Sequence, residues 1–74
     1  MAFENLGNLY AFYLRDNSKA EYNYKKAIEN NPLEASFYVT LADFYKTFLS
    51  DNSKAIDTIL SGLEKIKDIN LFLS

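Results

Sequence analysis

Seventy-four residues are room for one domain at most, and chains of this size bury only about 60% of their unfolded surface, so every buried aromatic counts. With 49% hydrophobic and 24% charged residues, six Phe and six Tyr, the composition is that of a packed domain and not of a disordered segment. Eight basic against ten acidic side chains give a net charge of -2, without the Lys and Arg excess that neutralising a phosphate backbone demands. The absence of Cys and His removes disulfides, thiolate ligands, and the commonest general base and metal ligand.

From the N-terminus, apolar residues recur at spacings of three and four with no sustained alternation, which predicts an all-helical chain. The first helix is expected at Phe3 to Leu14 and the second at Ser18 to Asn30, the latter opened by a capping box of Ser18 and Glu21. Asn31 and Pro32 then mark a boundary: an N-cap residue, a proline suited to the first helical position, and Glu34 near the positive helix end. A third helix is expected from Leu33 to Leu49 and a fourth from Ser53 to Lys67, the last capped by Asn52 or Ser53 because Ile56 stands where a capping-box Glu would be. Apolar stretches are short and interrupted, far from the roughly 20 residues of a membrane span, and Met1-Ala2-Phe3-Glu4 lacks the basic and apolar regions of a signal peptide. No membrane partner is expected, and the compartment is not specified.

The strongest pattern is internal. Asp16-Asn17-Ser18-Lys19-Ala20 recurs letter for letter as Asp51-Asn52-Ser53-Lys54-Ala55, at an offset of 35. At the same offset Leu6 meets Leu41, Tyr10 meets Tyr45, Leu14 meets Leu49 and Phe37 meets Phe72, while Gly7 meets Ala42. A period of this length marks stacked supersecondary units. The units divide the chain into residues 2–35 and 36–69, with 70–74 the start of a third unit or a tail, Phe72 lying where a third unit would begin.

Phe3-x-x-Leu6-Gly7-x-x-Tyr10, followed by Ala20-x-x-x-Tyr24, Ala27 and Pro32, resembles the tetratricopeptide repeat pattern; Tyr38-x-x-Leu41-Ala42-x-x-Tyr45, followed by Ala55-x-x-x-Ile59 and Gly62, resembles it less closely, with Lys67 in place of the closing proline. The resemblance implies two antiparallel helix-turn-helix repeats stacked as a short right-handed α-solenoid. Small residues at Gly7, Ala42, Ala20, Ala55, Ala27 and Gly62 would let helices approach. Phe3, Leu6, Tyr10, Tyr24 and Ile28 would fill one layer and Tyr38, Leu41, Tyr45, Ile59 and Leu63 the next, with Leu9 and Phe44 packing across helices.

In this family the first helix of each pair lines a concave groove. Carried over, the groove positions are Glu4, Asn8, Ala11 and Phe12 from the first unit and Ser36, Val39, Asp43, Lys46 and Thr47 from the second. The implied function is a protein-interaction scaffold holding a partner peptide or helix, with no catalysis, cofactor or metal. Some relatives clamp a peptide's terminal carboxylate with Lys, Asn and Arg; here only Asn8 fits, Glu4 taking the place of a Lys and Thr40 that of a second Asn, so capture of such tails is not expected. Alternatives are an architectural segment that self-associates through an uncapped second unit, and a pentatricopeptide-type RNA reader. The acidic charge, the absence of glycine from both inner turns and the Leu6-Gly7-x-x-Tyr10 signature argue against RNA. An enzyme is disfavoured by the missing His, Cys and glycine-rich phosphate loop.

Overall fold

The computed structural model describes the backbone of residues 2–73 and the side chains of residues 2–67; the expectations on Phe72 and on a third unit's side chains lie outside the described residues. All regular elements among them are helical: α1 (Phe3–Asn8), running on into a π-helical segment (Leu9–Tyr13), α2 (Asn17–Asn30), α3 (Ala35–Phe48) and α4 (Asn52–Leu73). Each helix packs on the next in chain order, giving a thin body of 43 × 28 × 13 Å.

The repeated pentapeptide makes the same turn twice. Arg15 and Ser50 take left-handed backbone conformations, with φ of 54° and 51°, a conformation that costs a non-glycine residue about 1–2 kcal/mol. The reversal returns the Asp16 N–H to the Tyr10 carbonyl at 2.9 Å and the Asp51 N–H to the Tyr45 carbonyl at 3.0 Å, so carbonyls of the last helical turn accept from the reversing chain. Each aspartate then caps the next helix: Asp16 Oδ1 accepts from the Lys19 N–H at 3.1 Å, and Asp51 Oδ1 from the Lys54 N–H at 3.0 Å. The expected serine caps are thus corrected. A carboxylate at the positive helix end adds charge to the hydrogen bond, so Asp16 and Asp51 take the capping position and Ser18 and Ser53 fall inside the first turn. Glu21, free of any capping box, faces Tyr45 instead.

The copies differ one step earlier. In the first, the Leu14 N–H bonds the Leu9 carbonyl five residues back at 3.1 Å, a π turn; in the second, the Leu49 N–H bonds Tyr45 four residues back at 3.2 Å. The start of the third helix also moves. Pro32 and Leu33 sit in a turn closed by the Glu34 N–H on the Asn31 carbonyl at 3.2 Å, where the fixed φ of proline suits the second turn position. The helix therefore begins at Ala35. At the other end α4 passes Lys67 and continues to Leu73, since neither Gly nor Pro interrupts the stretch after Gly62.

The core lies where the two hairpins meet: Ala11, Ala20, Tyr24, Leu41, Phe44 and Tyr45 are buried together, with Tyr10, Ile28, Phe48 and Ala55 packed around them. Tyr24, Tyr38, Leu41, Phe44 and Tyr45 are buried as expected, and Phe3, Leu6, Leu9, Tyr10, Ile28 and Ile59 are half-buried. Leu63 is a correction. It is 60% exposed, because it stands on a side of α4 that no other described residue covers. Asn23, not anticipated, is buried and donates from Nδ2 to the Lys19 carbonyl at 2.8 Å, one helical turn back.

Both glycines lie under tyrosine rings. A Cβ on Gly7 would come within 2.6 Å of the Tyr24 ring, and one on Gly62 within 2.5 Å of the Tyr38 ring. The rings are anchored at their far ends, since the Tyr24 hydroxyl donates to Asn8 Oδ1 and the Tyr38 hydroxyl to the Pro32 carbonyl, each at 2.6 Å. Gly7→Ala accordingly lowers stability: overpacking costs about 1–3 kcal/mol, against about 1 kcal/mol gained in helix propensity. A lower urea midpoint is expected, and a raised one would show that the Tyr24 ring yields.

Tyr45 ties the hairpins together electrostatically, its hydroxyl donating to Glu21 Oε2 at 2.5 Å. This bond, with help from the Lys25 charge, holds the Glu21 carboxyl below its ordinary 4.5 against the opposing effect of burial. The Tyr45 phenol is pushed well up, by burial first and then by Glu21, and stays a donor. A carboxyl lowered by folding contributes stability above its unfolded value and loses it as pH falls through the folded one. Tyr45→Phe should therefore flatten the loss of stability on acidification below about 4.5, measured by urea denaturation across pH; an unchanged slope would count against the bond.

Candidate functional site

A cleft of about 440 Å³ opens between the first helix of one hairpin and the first helix of the other. Its floor is the buried pair Tyr24 and Phe44, whose ring centroids are 5.4 Å apart. Asn8 and Phe12 form one wall. Thr40, Asp43 and Thr47 from α3 form the other, with Lys46 at the rim. One end is closed where Phe12 meets Phe48 edge to face at 5.0 Å. Beyond the other end Thr40 Oγ1 donates to Glu4 Oε2 at 3.2 Å, bridging α1 and α3.

Helical spacing explains the α3 wall. Thr40, Asp43 and Thr47 follow steps of three and four, which puts them on one side, while Leu41 and Tyr45 turn into the core. On the opposite wall Phe12 sits in the π segment and remains 56% exposed although it touches Phe48. The ion pairs among the described residues join Lys25 to Glu21 and Lys26 to Glu29, which leaves the exposed charges of Asp43 and Lys46 to solvent or to a ligand.

Of the candidates chosen by position in the repeat, Asn8, Phe12, Asp43, Lys46 and Thr47 come together in this cleft. Ala11 does not: it is fully buried, at 0% exposure, within the core at the hairpin junction, and is corrected from groove residue to packing residue. A methyl side chain is short enough to vanish beneath the α3 aromatics. Glu4 is half-buried and committed to Thr40. Ser36, exposed in the first turn of α3, donates to Glu34 Oε1 at 3.2 Å and lies outside the cleft. Val39 belongs to a second, apolar groove of about 310 Å³ between α3 and α4, which Asp43 and Lys46 share at its edge.

From the sequence Thr40 is weighed only as a clamp position, Phe44 is assigned to packing across helices and Phe48 is not singled out, yet all three line the cleft. Phe44 and Phe48, one helical turn apart, carried a signal in their spacing, but it was equally that of core residues. Asn8 has a double role that spacing alone does not reveal, since its side chain accepts the hydroxyl of the buried Tyr24.

No family model matches the chain, and no curated protein or solved structure matches it. Among the described residues no helix is long and apolar enough to cross a membrane.

The cleft residues divide into those that hold the fold and those free to bind, and the division is measurable. Asn8→Ala leaves the Tyr24 hydroxyl without its acceptor and should cost about 1–3 kcal/mol, whereas Asp43→Ala, on the exposed wall, should stay within about 0.5 kcal/mol of the parent. Equal effects in chemical denaturation would contradict that division.

Proposed function

We propose that the chain is a pair of tetratricopeptide-type repeats, stacked as a short right-handed α-solenoid, that holds a segment of a partner protein in the cleft between α1 and α3 and carries out no catalysis. The observation that supports this most is the convergence of Asn8, Phe12, Asp43, Lys46 and Thr47, selected from repeat position, on a single cleft. Its aromatic floor offers a seat for one apolar anchor, and its rim offers an acid, an amine and hydroxyls for the flanking peptide, a combination suited to an extended or helical segment. Glu4, half-buried near the cleft, disfavours a terminal carboxylate as the recognised group. A purely architectural role, with the cleft empty, is favoured by a different feature, the open apolar face of α3 and α4.

Selection from a displayed peptide library tests the proposal. The parent should enrich peptides with an apolar anchor flanked by polar residues, and Phe12→Ser with Asp43→Arg should weaken the selected peptides by at least about tenfold, the loss expected when an anchor contact is removed. Amidation of the peptide C-terminus should leave affinity unchanged. Equal retention by parent and variant, or no enrichment, would overturn the cleft as the binding site.

A further inference from the structure

The face of the second hairpin turned away from the first is apolar and open. Val39, Ile56, Leu60 and Leu63 are each more than half exposed, and a groove between α3 and α4 runs among them and continues past Ile59 towards Gly62. Contiguous exposed apolar surface of this kind marks an interaction site.

The offset of 35 identifies its counterpart within the chain. Val39, Ile56, Leu60 and Leu63 correspond to Glu4, Glu21, Lys25 and Ile28; on that side of the first hairpin Glu4, Glu21 and Ile28 are half-buried, while Lys25 stays exposed at the margin. There Phe44 lies on Tyr24, Tyr45 donates to Glu21 and Thr40 donates to Glu4. The residues that stand to the first hairpin as Phe44, Tyr45 and Phe48 stand to the second are Leu9, Tyr10 and Tyr13. Tyr13 is 78% exposed, and Leu9 and Tyr10 are half-buried. Among the described residues the chain thus presents both halves of its internal junction, an exposed hairpin face on the second hairpin and an exposed covering helix on the first.

We propose that a second copy of the chain stacks head to tail on this face, laying its Leu9 on Ile59 as Phe44 lies on Tyr24, its Tyr10 beside Ile56 as Tyr45 lies beside Glu21, and its Tyr13 against Thr47 as Phe48 lies against Phe12, with Leu60 and Leu63 bordering the contact. The proposal rests on reading the two hairpins as repeats of one unit. Continuity with the internal junction selects this occupant over an unrelated helix. Two exchanges adapt the face to it. Val39 and Ile56 replace the acids Glu4 and Glu21, so the contact is apolar where the internal one is hydrogen-bonded; Tyr10 finds no acceptor at Ile56, and the weight falls on Leu9 and Tyr13. Lys46 replaces the buried Ala11 and brings its unpaired ammonium beneath the incoming Tyr13 ring, a cation–π arrangement. Because the two surfaces differ, each added copy leaves one of each exposed, and assembly is open-ended.

Sedimentation equilibrium on the full chain, with Tyr13→Glu blocking one surface and Leu60→Glu the other, tests this. Both positions are exposed, so folding should survive; circular dichroism confirms it, and Leu63→Lys serves as a second block of the same face. The parent mass should rise with concentration beyond a dimer. Each variant alone should associate at least about tenfold more weakly, and an equal mixture of the two should form a one-to-one complex and nothing larger. A parent that stays monomeric at millimolar concentration, a Tyr13→Glu protein that dimerises as the parent does, or a mixture that stays monomeric would each overturn the proposal. Leu60 lies outside the α1–α3 cleft, so Leu60→Glu should still select peptides, and failure of stacking is distinguishable from failure of peptide binding.

Discussion

The structure depends on a tyrosine ring packed directly against a glycine. With hydrogen as the side chain of Gly7, the Tyr24 ring reaches the backbone of α1, where a methyl group would lie 2.6 Å from its carbons. That approach closes the first hairpin. The same ring then stands 5.4 Å from Phe44 of the next hairpin and sends its hydroxyl to Asn8, so one buried side chain joins helix to helix, hairpin to hairpin, and core to cleft. A chain of this length has little redundancy with which to replace such a residue. Phenylalanine at position 24 would keep the packing but leave Asn8 without its donor.

The second hairpin closes by a related contact with its parts exchanged. In the first, the glycine is on the leading helix and the ring on the following one; in the second, Gly62 lies on α4 beneath Tyr38 of α3. Position 42, the counterpart of Gly7, is a buried alanine, and position 59, the counterpart of Tyr24, is isoleucine. A smaller side chain facing alanine and a larger one facing glycine fill comparable space, a compensation that volume-conserving packing permits. Close packing is therefore kept in both hairpins while the residues that provide it differ.

The helices were legible in the sequence because their boundaries are set by local chemistry: two identical turns, one proline, and apolar spacings of three and four. What local chemistry left open was competition among neighbours. Asp16 outcompeted Ser18 for the cap because the carboxylate is the better acceptor at a positive helix end, and that choice released Glu21 to bind Tyr45. The repeat position of Ala11 predicts a groove residue, and only its packing with Phe44 and Tyr45 of α3 decides that it is buried. The same logic predicts Leu63 in the core, and its exposure depends on what packs against that side of α4, which spacing within one helix cannot encode. Asn8, Phe12, Asp43 and Thr47 were placed together from the sequence because periodicity does specify which side of a helix a residue takes.

The difference between the two hairpin faces carries the functional argument furthest. Surfaces meant only for water gain nothing from exchanging Glu21 for Ile56 or Lys25 for Leu60, and those exchanges expose large apolar side chains at a cost in solubility. The first face can afford its acids because α3 supplies donors to them, the Tyr45 hydroxyl and the Thr40 hydroxyl. The second lacks the groups that would need such donors. Burying a hydrogen-bonded face requires every donor and acceptor to be matched; burying an apolar one requires only shape. A junction that forms between separate molecules, without a connecting segment to fix its register, favours the second kind. The cleft between α1 and α3 keeps the opposite character, with Asp43, Lys46, Asn8 and Thr47 around a small aromatic floor. Polar rims of that sort discriminate among ligands more than they attract them. Under the two proposals the cleft would select its ligand by polar contacts and the open face would take its partner by apolar shape, with α3 common to both.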